Sequence, residues 1–109
     1  MFVFTKNRIV KEWPTTLKVA GDKGHVTEYE ITVDLELIPE DEWIALFRLS
    51  PKAAFDRVLL GWHGISDANG EPMEATEDNR AALYQWQPFS VAVTNAYLRA
   101  ASGEAARKN

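Results

Sequence analysis

Hydrophobic and polar residues change their period once along this chain, near residue 39. From Tyr29 the period is two: Tyr29, Ile31, Val33, Leu35 and Leu37 alternate with Glu28, Glu30, Thr32, Asp34 and Glu36. Successive strand side chains point to opposite faces, so this segment reads as a strand with one buried and one wetted face. Its acidic face argues against a second layer on that side. Thr15–Ala20 alternates more weakly through Leu17 and Val19. Between the two, Gly21-Asp22-Lys23-Gly24 offers two glycines able to take positive φ, which predicts an antiparallel hairpin. Phe2–Phe4 and Ile9–Val10 are candidates for a short third strand. Pro14 lacks an N–H and marks an edge or a strand start.

Beyond Pro39 the period lengthens. Pro39-Glu40-Asp41-Glu42 places proline and acids where the free N–H groups of a helix start favour them, and Trp43, Leu46 and Phe47 form one apolar face. Ser50-Pro51 restarts the chain with a capping residue and a proline. Ala54, Phe55, Val58, Leu59 and Trp62 then predict a second helix reaching into Gly61-Trp62-His63-Gly64, where either glycine could end it. Asp67 to Pro72 is a turn cluster. Thr76 caps a third helix anchored by Leu83 and Trp86, and Gln87-Pro88 marks a boundary. Phe89, Val93, Ala96, Tyr97 and Ala100 line one side of a last helix that Gly103 stops. The expected architecture is α+β: a small N-terminal antiparallel sheet, a hairpin with a candidate third strand, followed by three to four packed helices. Residues 1–103 form one domain and 104–109 a mobile polar tail.

Composition narrows the chemistry. With no cysteine in 109 residues, thiolate nucleophiles and cysteine metal sites drop out. The net charge is −4 and the basic residues are scattered, with a tight pair only at Arg107–Lys108. That is a poor footprint for a nucleic-acid binder, which needs clustered cations against phosphate. The opening Met-Phe-Val-Phe-Thr-Lys lacks the basic and long apolar regions of a secretory leader, and no run is long enough to span a membrane. A cytoplasmic location is expected.

Candidate chemistry is sparse. Asp67-x-Asn69-Gly70 matches part of an EF-hand loop, but its first position would be Ile65 and its last Thr76, so the strongest calcium ligands are missing and turn formation explains the residues. His63 has no partner histidine at metal spacing, His25 lying in the hairpin region, and it reads as a surface or capping residue at a helix end. The acidic clusters, Glu40-Asp41-Glu42 and Glu77-Asp78, sit at helix starts. No nucleophile–base pattern, P-loop or dinucleotide fingerprint is present. No catalytic residue, metal or cofactor is therefore expected, and the protein reads as a non-enzyme. Four tryptophans, Trp13, Trp43, Trp62 and Trp86, are many for so small a core. Those left partly exposed would anchor a partner.

"VKEWPTTLKVAGDKG" leading into an alternating strand, and then residues 55–109 with their apolar run into Gly-Trp-x-Gly, Asp-x-x-Gly-x-Pro and an aromatic-rich helix ending in Ala-Tyr, resemble the small tail assembly chaperones of long-tailed bacteriophages and prophages. The resemblance covers nearly the whole chain. It departs at "MEATEDN", where Ala75-Thr76-Glu77 replaces the more usual apolar-Ser-Glu helix start, which weakens the staple before Thr76. It implies a protein of the bacterial host cytoplasm that binds the tape-measure protein and keeps it soluble during tail assembly. The alternative is another small tail or head–tail adaptor. It further implies a longer form made by ribosomal frameshifting, for which Lys108-Asn109 could be encoded by a slippery run, with that form and the tail-tube protein as further partners. Self-association is open, through pairing of the first strand. The partner-binding residues expected are Trp86, Phe89 and Tyr97 at the start and middle of the last helix.

Overall fold

The computed structural model describes residues 1–106. Its core is a three-stranded antiparallel sheet of order β1-β2-β3, with β1 at Arg8–Ala20, β2 at Val26–Leu37 and β3 at Leu59–His63. Helices α1 (Glu40–Leu49) and α2 (Pro51–Val58) lie between β2 and β3 in the chain, and α3 (Glu77–Tyr84) and α4 (Gln87–Ser102) follow. The α+β class is as the sequence predicts, and the four helices fall at the upper end of the three to four expected. The third strand is not. Ile9–Val10 belongs to β1 itself, Phe2–Phe4 stays outside the sheet, and the real third strand is Leu59–His63, which pairs with β2. The helix expected to run through Trp62 therefore ends at Val58.

Local chemistry explains most boundaries. The hairpin turns at Asp22–His25, where the His25 N–H donates to the Asp22 carbonyl and both central residues have positive φ, 58° at Lys23 and 79° at Gly24. This is the mirror-image turn whose twist matches paired strands. Gly21, with φ −116°, does not use its freedom. Ser50 Oγ accepts from the Ala53 N–H at 3.0 Å and Thr76 Oγ1 from the Asn79 N–H at 3.2 Å, satisfying donors that the first turns of α2 and α3 would otherwise leave free. Gly103, at φ 78°, ends α4. Its N–H reaches the Ala100 carbonyl, and the Glu104 N–H reaches that of Arg99. Glu104 is thus tied to α4, and Arg107–Asn109, with the frameshift expectation, lie outside the described residues.

Asp34 organises the sheet. Opposite it, β1 carries one extra residue, because Val10 pairs with Leu35 and Trp13 with Val33. Glu12, in this bulge at φ 53°, donates its N–H to Asp34 Oδ1 at 2.8 Å. On the other side β3 also bulges, with Gly61 opposite Asp34 and Leu59 opposite Leu35, leaving Leu60 as the extra residue. A bulge bends its strand and increases the local twist. Both bulges fall opposite Asp34.

The helices cover one face. Val33, Leu35, Val58, Phe89 and Val93 are fully buried between sheet and helices, with α4 lying along β1 and β2 and α2 against β2 and β3. Burial on β2 begins at Ile31, so Tyr29, expected on the buried face, is exposed near the hairpin end.

Candidate functional site

The residues most often recruited for chemistry are occupied by structure. His63 stands on the exposed edge strand β3, not at a helix end, with its Nε2 3.4 Å from Asp34 Oδ2. Thr32 faces His63 across the ladder but makes no hydrogen bond to it, so no hydroxyl–imidazole–carboxylate relay is assembled. Asp67 Oδ1 accepts from the N–H groups of Asn69 and Glu71 at 2.8 and 3.0 Å, and Asp67 and Glu71 also pair through their backbones. The carboxylate builds a turn, as its neighbours suggested. Among the described residues, no three His, Asp or Glu side chains converge in a way that could hold a metal ion.

Trp62 is a packing anchor. Its indole Nε1 donates to the Met73 carbonyl at 3.0 Å and its ring meets Phe89 edge-on at 5.5 Å. Arg80, which sequence reasoning passed over, locks the same region. Its guanidinium donates to the carbonyls of Leu59 at 2.7 Å and Leu60 at 3.1 Å and to the Tyr84 hydroxyl, while its Nε reaches the Ala75 carbonyl. It also lies 5.8 Å from the Trp62 ring centroid. One cation thus ties α3 to the bulged edge strand and occupies carbonyls that could otherwise pair with another chain. Nothing in the spacing around Arg80 announces this, because its partners are backbone atoms of a strand some twenty residues earlier.

Of the three expected partner-binding aromatics, the fold leaves one accessible. Phe89 is 0% and Tyr97 2% exposed, whereas Trp86, at the N-cap of α4, is 39% exposed. Phe89 packs under Trp62 and Tyr84. Tyr97 stacks on Trp43 with ring centroids 4.1 Å apart, accepts a hydrogen bond from the Ile38 N–H at 3.1 Å and donates to its carbonyl. Burial also raises the Tyr97 pKa, so its hydroxyl stays protonated. Phe89 is sealed in the core, whereas Tyr97, though almost fully buried, lines an open groove.

Tyr97 and Trp43 instead form the floor of a feature the sequence did not reveal. Between α1 and α4 runs an open groove of about 390 Å³, lined by Ile38, Trp43, Ile44, Tyr97, Leu98 and Ala101, with Glu40 and Ser102 at its rim. Ile44 and Leu98 stand on its walls, 37% and 49% exposed. A weak signal was present: Leu98 is apolar but lies off the buried stripe of α4, where a solvated face would be polar. The first turn of α1 is acidic through Glu40, Asp41 and Glu42. Glu42 is paired with Arg57 at 3.1 Å, and Arg57 also binds Glu36 of β2.

No protein-family model, curated protein or solved structure matches the chain. Among the described residues no helix is long and apolar enough to cross a membrane.

Proposed function

We propose that this protein is a non-enzymatic assembly chaperone of the phage-tail type, acting in the bacterial host cytoplasm, and that it holds an amphipathic helix of the tape-measure protein in the groove between α1 and α4. The observation that carries the reading is the groove itself, an uncovered apolar trough floored by the Trp43–Tyr97 stack. A helix laid in such a trough buries the apolar stripe that would otherwise drive it to aggregate. The groove is lined from Glu40 to Ile44 on α1 and from Tyr97 to Ser102 on α4, about 6–8 Å of helix rise, enough to seat roughly one turn of a client helix. The acidic rim suits a client with basic flanks. Trp86 is the one aromatic of the three expected contacts that remains available for a second point of attachment.

Co-expression with a tape-measure chain tests the reading. The client is expected to stay soluble with the wild-type protein and to precipitate with Leu98→Glu, a variant whose melting temperature should stay close to wild type because Leu98 is half exposed. Equal solubility of the client with no chaperone present removes the proposal.

A further inference from the structure

The segment before β1 is the most exposed apolar stretch of the molecule. Met1, Phe2, Val3 and Phe4 all stand open to solvent in a run with no regular structure. Residues 1–7 carry Lys6 and no acid, and Arg8 opens β1 behind them, in a chain of net charge −4. The Arg8 guanidinium lies 5.8 Å from the Phe2 ring centroid, so even this contact is internal to the segment. Its root is fixed: Asn7 Nδ2 donates to Glu36 Oε2 at 3.0 Å, and Arg8 pairs with Leu37. Ile38, the residue that follows β2, already lines the α1–α4 groove. The arm and the groove therefore sit at the same end of the molecule, and the arm runs off the end of the sheet.

We infer that the arm of one copy docks in the α1–α4 groove of a second copy, the exchange being reciprocal about a two-fold axis. The chemistry is complementary. Phe2 and Phe4 match the apolar trough, and Lys6, the basic side chain ahead of the root, matches the acids in the first turn of α1. Of these acids, Glu40 stands on the groove rim without an ion-pair partner among the described residues. Because arm and groove share one end, a single two-fold contact brings each arm beside the other copy's groove, which closes the assembly at two and leaves no open binding end. The six residues ahead of the root reach up to about 20 Å, longer than the stretch of α1 and α4 that lines the groove. This inference needs only the groove and the arm and stands whatever client the groove takes. If it also takes a client helix, the arm is the competitor that the client displaces.

Sedimentation velocity on the full chain, from about 1 to 100 μM, tests it. The wild type is expected to dimerise in this range, more weakly as salt is raised. The double variant Phe2→Asp, Phe4→Asp and the groove variant Leu98→Glu should each weaken dimerisation at least about tenfold, with melting temperature unchanged at concentrations where the wild type is monomeric, since neither touches the core. Mixing the two variants should restore a mixed dimer, because one intact arm then meets one intact groove. A wild type that stays monomeric overturns the inference. So does a dimer indifferent to the arm substitutions, or one lost on changing the arm but kept with Leu98→Glu. Client solubility is a separate readout, so either proposal can fail without the other.

Discussion

The region around Trp62 and the region around Trp43 are built from the same materials and left in opposite states. At Trp62 the indole N–H has its acceptor, Phe89 seals the ring, and Arg80 occupies backbone carbonyls of the exposed edge strand. At Trp43 the ring stacks on a fully hydrogen-bonded Tyr97, but the apolar surface above it is uncovered and walled by exposed Ile44 and Leu98. Buried apolar groups with satisfied polar neighbours make the first region a foundation. The uncovered apolar walls make the second a surface that gains from a partner. An aromatic's place in the sequence does not tell which of these it serves.

The largest effect expected from breaking this comparison is in the foundation. Phe89→Ala should cost about 3–5 kcal/mol in urea denaturation, because it empties a fully enclosed site beneath Trp62. A cost below about 1 kcal/mol would mean that the region collapses around the gap and is not the rigid side. Arg80→Met comes next. It keeps most of the aliphatic stem and removes the charged donors to Leu59 and Leu60, for an expected loss of about 2–3 kcal/mol. Faster amide exchange in β3 than in β1 would locate that loss at the clamp.

The smallest effect lies between the two regions, at Arg57, which binds Glu36 on β2 and Glu42 on α1. The Arg57 hydrogen bond holds the Glu36 carboxyl below its ordinary value of 4.5, with Asn7 helping. A lowered folded-state pKa means the stabilisation is full above about pH 4.5 and is lost as pH falls through the lower folded value. Glu36→Gln should therefore melt slightly lower than wild type at neutral pH and show a shallower fall in Tm on acidification. Parallel Tm curves for the two proteins would show that the pair contributes nothing to the fold.

Much of this architecture is legible along the chain. The alternation from Ile31 to Leu35, the caps at Ser50 and Thr76 and the stop at Gly103 each act through neighbours close in sequence, so local chemistry is enough to read them. β3 is hidden because Val58, Leu59 and Trp62 continue a helical spacing, and what makes Leu59–His63 a strand is pairing with β2 more than twenty residues earlier. The tertiary partner overrides the local period. The groove is hidden for a related reason. Phe89 and Leu98 are both apolar residues of α4, and only the placement of α1 and the sheet separates the buried one from the bare one.

The double bulge at Asp34 has a bearing on how the chain avoids misfolding. A strand's faces exchange when its pairing slips by one residue, so a hairpin closed one residue out of step would carry the Asp34 carboxylate into the place that Val33 or Leu35 fills. It would also leave the Glu12 N–H without its acceptor and put Leu60 and Gly61 out of alignment with β2. A single acidic side chain thus acts as a checksum on two pairings at once: a slip in either ladder moves it away from the partners that the correct frame gives it.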